Sequence, residues 1–166
     1  MRTVALIGCS AQKLDRRAPA RELYVSALFR ASLQYAEAVL GAEVFILSAK
    51  HGLVRPEQKL KPYDFSLSDM EPWERAWWAH EVEAQFAEVL GAELVPINPA
   101  VDPCEAEWRL EQSGLRLVLL AGQLYRFTPP FPQRFEESLS GMGIGARKAW
   151  LRAQVEAVRR AGKVAA

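Results

Sequence analysis

The chain has 166 residues, of which 50% are hydrophobic and 25% charged, with 20 acidic and 21 basic side chains and a formal charge of +1. That composition excludes wholesale disorder, and so balanced a charge gives no bulk signal for nucleic acid. The length suits one domain, which buries roughly 70% of its unfolded surface and needs neither disulfides nor a structural metal to hold a core.

In chain order, Val4-Ala5-Leu6-Ile7 is a continuous apolar run ending at Gly8-Cys9-Ser10, and it predicts a strand buried on both faces. Polar, basic sequence follows from Gln12 to Arg17. After Pro19, Tyr24, Leu28, Ala31, Tyr35 and Val39 recur every three or four residues, which predicts one long helix stopped at Gly41. Val44-Phe45-Ile46-Leu47 predicts a second strand, ending at Ser48-Ala49-Lys50-His51-Gly52. Residues 55–69 hold Pro56 and Pro62 and predict an irregular loop, of a length that is often functional.

Ser68 or Asp69 is the expected cap of the next helix, with Pro72 in its first turn. Trp73, Trp77, Phe86 and Leu90 are its expected inward side, and Glu74, Glu81 and Glu88 its acidic side. Leu94 to Ile97 is a weaker strand candidate, suited to an edge by Pro96, and Glu105 to Gln112 a short helix. Leu117 to Ala121 predicts a third strong strand, ending at Gly122-Gln123-Leu124-Tyr125. Residues 128–132 hold three prolines and cannot be a regular interior element, and a final helix is expected from about Ala146 to Ala161.

Strands alternating with helices predict a single α/β domain over residues 1–166, with a mostly parallel central sheet flanked by helices. The segments after parallel strands then gather along one sheet edge, where open α/β sheets bind ligands. Three such segments carry special residues: Gly8 to Lys13, Ser48 to Gly52, and Gly122 to Tyr125. Two cysteines, Cys9 and Cys104, exclude a disulfide scaffold and a four-cysteine zinc site. His51 and His80 lack zinc spacing, so no metal and no cofactor is expected. No apolar run reaches 18 residues, which predicts a cytoplasmic protein with no membrane partner.

These segments also carry a resemblance. Gly-Cys-Ser-x-x-Lys at Gly8 to Lys13, Ala-Arg-Glu-Leu-Tyr at Ala20 to Tyr24, Leu-Ser-Ala-Lys-His-Gly-Leu-Val-x-Pro at Leu47 to Pro56 and Pro62-Tyr63-Asp64 resemble an uncharacterised bacterial and archaeal family. Leu-Ala-Gly-Gln-x-Tyr at Leu120 to Tyr125 and Gly-Met-Gly-Ile-Gly at Gly141 to Gly145 extend the likeness over nearly the whole chain. That family is similar, more distantly, to the peroxide-stress protein family YaaA. The resemblance implies DNA binding, a helix-hairpin-helix element and a part in the oxidative stress response. Lys50-His51 departs from the residues that YaaA-like sequences carry, and this chain is much shorter.

Lys13, Lys50 and His51 would place two fixed charges and one titratable group at one edge, suited to a phosphate, a carboxylate or a leaving group gaining charge. His51 is a candidate general acid or base, the alternative being that Lys50 and His51 only solvate a strand end. Cys9 is a candidate nucleophile beside Lys13, or a small side chain completing the strand. Ser10 and Ser48 are candidate donors to a phosphate or base, and Gly122 a candidate substrate-binding residue. Asp64 is a candidate for activating water or stabilising an oxocarbenium-like centre. Tyr24, Tyr63 and Tyr125 offer faces for stacking a base, or ordinary packing. Arg21 and Glu22 are either site wall or a surface pair.

From Gly141 onward six basic residues accompany one acid, Glu156, a local charge of +5. Gly143, Gly145 and Ala149 fit a helix-hairpin-helix turn, in which glycines let backbone approach phosphates. Its first helix would come from Arg134 to Leu139. Arg147, Lys148 and Arg152 are candidate nucleic-acid contacts; Lys148, Arg152, Arg159 and Lys163 share a helical face, the alternative being a solvated helix packing Trp150, Leu151, Val155 and Val158 inward.

The expected partner is therefore a nucleotide or a nucleic acid, DNA before RNA, at an open, wet pocket on the sheet edge. N-glycosidic or base-processing chemistry is the expected reaction of a catalytic version. The alternatives are an enzyme acting on a free nucleotide or phosphorylated metabolite, and a non-catalytic binding module.

Overall fold

The computed structural model describes residues 2–90, 114–125 and 135–164. The expected elements at Leu94 to Ile97 and Glu105 to Gln112, the proline segment at 128–132 and Cys104 lie outside the described residues. The central sheet holds β1 (Arg2–Gly8), β3 (Glu43–Ser48), β4 (Gly52–Val54) and β6 (Leu115–Leu120) in the order β4-β3-β1-β6. β1 pairs in parallel with β3 and β6, and β4 runs antiparallel at the edge. A two-residue ribbon joins β2 (Ala18–Pro19) to β5 (Lys59–Leu60). The helices are α1 (Ala20–Leu23), α2 (Ala27–Ala38), α3 (Pro72–Leu90) and α4 (Ile144–Val164). The chain is thus an α/β fold with a mostly parallel sheet.

The three apolar runs are continuous because both faces of the sheet are covered. Ala5, Ile7, Val44, Ile46, Val118 and Leu120 pack with residues of α2 and α4. Val4, Leu6, Phe45, Leu47, Leu117 and Leu119 pack with Trp78, Val82 and Phe86 of α3. Each buried side chain of this size contributes about 1.5–3 kcal/mol. β1 therefore leads toward helices on one face and β3 toward a helix on the other. The crevice between such diverging strands is the usual ligand position in open α/β sheets.

Four expectations need correction. The helix expected after Pro19 is broken at Tyr24, which takes an extended conformation (φ −85°, ψ 112°). Lys13 and Tyr24 form an antiparallel bridge, and the Val25 amide donates to the Gln12 carbonyl, so helical continuation would forfeit that pairing. Ser26 then restarts the helix, its hydroxyl accepting from the Phe29 amide. In α3 the inward stripe is Trp78, Val82 and Phe86; Trp73 and Trp77 are 64% and 67% exposed. The two candidate stripes differ by one residue, and the inward one is pinned where Trp78 Nε1 donates to the Ser48 carbonyl at 2.9 Å. α3 is not capped by Ser68 or Asp69, which belong to a short 3₁₀ turn closed by Ser66 and Asp69; the Glu71 amide instead donates to the Glu74 carboxylate.

Fourth, residues 135–143 form a bridge of Glu136 to Val118 and a turn, not a helix. The hairpin's first helix is absent among the described residues, and α4 stands alone after the glycines. Within α4, Leu151 and Val155 are buried, Trp150 is half-buried, and Val158 is 42% exposed rather than turned inward.

The β3–β4 hairpin holds Lys50 and His51 at its tip. Gly52 closes it at φ +67°, and a Cβ there would lie 2.3 Å from Gln85 Oε1, the acceptor for the Leu53 amide. Gly52→Ala is expected to lower stability by about 1–3 kcal/mol in urea unfolding; an unchanged midpoint would contradict this account of the hairpin.

Candidate functional site

The three strand ends do meet, and Tyr63 joins them. Tyr63 lies in the loop after β5, and its hydroxyl is 2.7 Å from Ser48 Oγ at the end of β3 and 2.8 Å from the Tyr24 hydroxyl. It donates to Cys9 Sγ, just past β1, at 3.9 Å. The Tyr125 hydroxyl, after β6, lies 3.1 Å from the same sulfur. The His51 amide donates to Ser48 Oγ. With the Tyr63 proton directed at sulfur, both Ser48 and Tyr24 donate to the Tyr63 oxygen, which fills its two acceptor positions.

Burial supplies the electrostatics of this hub. It raises Tyr24, Tyr63 and Tyr125 above the ordinary phenol value, and the nearby Cys9 raises all three further. All three phenols therefore stay protonated at neutral pH. Two cations lie by the Tyr63 ring: Lys13 Nζ is 4.2 Å from its centroid and Lys50 Nζ 5.7 Å. Both are within cation–π range. The His51 ring meets Tyr63 edge-on at 5.4 Å. Its pKa is lowered, first by desolvation and then by Lys50, so the imidazole is neutral at pH 7.

Close packing sets the position of Tyr125. A Cβ on Gly8 would stand 3.1 Å from Ala121 Cβ and 3.2 Å from Tyr125 Cε2. Only glycine lets the chain after β6 settle so tightly against the end of β1. Tyr125 also meets Trp78 edge-on at 6.0 Å, linking the hub to α3.

Of the expected site residues, Cys9, Lys13, Tyr24, Ser48, Lys50, His51, Tyr63 and Tyr125 are brought together. Ser10 is not part of the hub: its hydroxyl donates to the Gln12 carbonyl and shapes the loop. Asp64 is exposed and takes no part in the hydrogen-bonded cluster. Arg21 pairs with Glu37 and Glu57, away from the hub, and Glu22 is exposed. Gly122 accepts the Tyr125 amide through its carbonyl. Gly143 and Gly145 are exposed, as is Arg152, and Lys148 is half-buried.

Arg147, an expected nucleic-acid contact, is half-buried and held by two carbonyls. Its Nε donates to the Met142 carbonyl at 2.7 Å and its Nη1 to the Ala121 carbonyl at 3.2 Å, which aims the guanidinium at the end of β6. Trp78 was not an expected site neighbour, although its spacing with Val82 and Phe86 marks the inward stripe. Among the described residues no cluster of three or more His, Cys, Asp or Glu side chains is placed to hold a metal. No helix among them is long and apolar enough to cross a membrane.

The family model for DUF6884, a family of unknown function, matches residues 4–97. The chain belongs to this family. No curated protein matches it, and no solved structure does. The DUF6884 match spans Cys9, Lys13, Tyr24, Ser48, Lys50, His51 and Tyr63, whereas Tyr125 and Arg147 come from beyond it.

Two outcomes are expected. Tyr63→Phe removes the shared oxygen and leaves the Ser48 and Tyr24 hydroxyls without their acceptor, so stability should fall by about 1–3 kcal/mol in chemical denaturation. No loss would mean the hub is dispensable. The second concerns pH. Because the folded His51 value lies below 6.5, the unfolded chain binds more protons in the window between them. Stability therefore rises with pH across that window, and the His51 contribution is fully lost below it. His51→Asn should flatten this dependence; equal slopes in both proteins would contradict it.

Proposed function

We propose that this protein binds a nucleotide at the C-terminal edge of its sheet, with the ligand's negative charge balancing the lysine rim and its base lying against the aromatic face. One observation carries the reading: two ammonium groups, Lys13 and Lys50, face one tyrosine ring without an ion pair among the described residues. Exposed or half-buried cations left without a carboxylate suit an anionic guest, and a ring beneath them suits a flat one. Stacking on such rings is worth about 1–3 kcal/mol per base.

A nucleic-acid carrier for that nucleotide, as the YaaA likeness implies, has a separate support. Lys148, Arg152 and Arg159 on α4 have no acidic partner among the described residues, whereas Arg160 pairs with Glu156. The lone α4 offers these as a basic face but not as a two-helix hairpin. A catalytic version would use His51, whose neutral ring is able to take a proton from water. Asp64 lies outside the hub and is the weaker candidate for that role.

Calorimetric titration with mononucleotides and short single-stranded oligonucleotides tests both levels. The double variant Lys13→Ala/Lys50→Ala is expected to weaken mononucleotide binding at least about tenfold, or about 1.4 kcal/mol. Unchanged affinity would overturn the proposal. If the nucleotide is carried on a polymer, oligonucleotide affinity falls steeply with salt and also falls on charge reversal at Lys148 and Arg152. A shallow salt dependence equal to that of the mononucleotide would leave only the free nucleotide.

A further inference from the structure

A cavity of about 70 Å³ lies beside the hub, bordered by the ends of β1 and β6, the start of α2 and the first turn of α4. That is roughly five times the space that one water requires. Its polar lining comes from Cys9, Ser26, Ser32, Tyr125 and Arg147. No carboxylate is among the described residues that line it. Arg147 has no acidic partner among the described residues, and its two hydrogen bonds to carbonyls leave further guanidinium N–H groups free. Ser32 is only 1% exposed, an unusual place for a hydroxyl unless the space beside it is polar. The positive end of α2 adds to the field.

We propose that this cavity is an anion subsite, taking a phosphate group against Arg147, with the serine and tyrosine hydroxyls as further donors. The proposal rests on the nucleotide reading above and assigns the two ends of the ligand. Cys9 and Tyr125 belong both to the cavity lining and to the hub, so the two compartments adjoin. Lys13 and Lys50 face the ring of Tyr63 at the rim, whereas Arg147 borders the enclosed space. A guanidinium fixed by two carbonyls is pre-oriented for a planar, two-point grip on phosphate oxygens, which an ammonium on a flexible stem is not. The terminal phosphate therefore sits at Arg147, while the lysine rim balances the negative charge nearer the base and the Tyr63 ring.

The test uses the full chain, with inorganic phosphate and pyrophosphate as probes, followed by thermal shift and calorimetry. Arg147→Gln is expected to weaken phosphate binding at least tenfold, and Arg147→Lys to restore only part of it. Gly122→Asp is the second variant, because a Cβ at Gly122 meets no atom within 4 Å and the new carboxylate adds a repelling charge at the lining without a clash. It too should weaken phosphate binding at least tenfold while the circular dichroism spectrum stays native. Lys13→Ala/Lys50→Ala should keep inorganic phosphate binding within about twofold while still weakening mononucleotide binding about tenfold. Phosphate binding that survives in both Arg147→Gln and Gly122→Asp, or that is lost only in the lysine variant, overturns the subsite while nucleotide binding stands. Absence of both phosphate and nucleotide binding in the unaltered chain overturns the two proposals together.

Discussion

The architecture around the sheet edge depends on one oxygen atom. The Tyr63 hydroxyl sits between Ser48, Tyr24 and Cys9, side chains from three separate stretches of chain. A buried phenol without partners costs more than the bond it forgoes, so each of these groups constrains the others. Tyr63 is delivered by the excursion that follows β5, and the short ribbon of β2 with β5 anchors the start of that excursion beside the first helices. The Ala20 and Arg21 amides donate to the Gln58 and Pro56 carbonyls, which ties the chain just before β5 to α1. Through Tyr63 the loop is therefore part of the site's framework.

Legibility from sequence followed the physics of each element. The runs at Val4, Val44 and Leu117 were readable because a strand covered on both faces needs no alternation, and the sheet has helices on both sides. The convergence of their ends follows from parallel pairing alone, and it brought Lys13, Lys50 and Tyr125 into one neighbourhood. Periodicity failed at Tyr24, because a long-range bridge to Lys13 outweighed local helical preference. It failed again in α3, where Trp73 and Trp77 suggest an inward side although the Trp78, Val82 and Phe86 spacing marks the buried one, which the Ser48 carbonyl then pins. The hydrogen-bond partners themselves were not readable. Nothing local links Ser48 to Tyr63, or Tyr125 to a cysteine 116 positions earlier.

The distribution of charge at this edge is as informative as the contacts. Several cations elsewhere on the molecule have acidic neighbours, as Arg2 has Glu43, Arg21 has Glu37 and Arg116 has Glu136. Lys13, Lys50 and Arg147 do not, among the described residues. Three uncompensated cations around one aromatic cluster raise the local positive potential in a region partly shielded from water, where an anion gains more than it would on an open surface. The DUF6884 match covers the lysine and tyrosine side of this arrangement, and the cavity side is completed by residues beyond it.

The most direct measurement is a double-mutant cycle between Tyr63→Phe and Tyr125→Phe, read by equilibrium unfolding. The two hydroxyls share Cys9 Sγ and come from separate segments, after β5 and after β6. If the three strand ends form one hydrogen-bonded unit, the coupling should lie between about 0.5 and 3 kcal/mol. Effects that add to within about 0.3 kcal/mol would mean that the strand ends are neighbours without being a site.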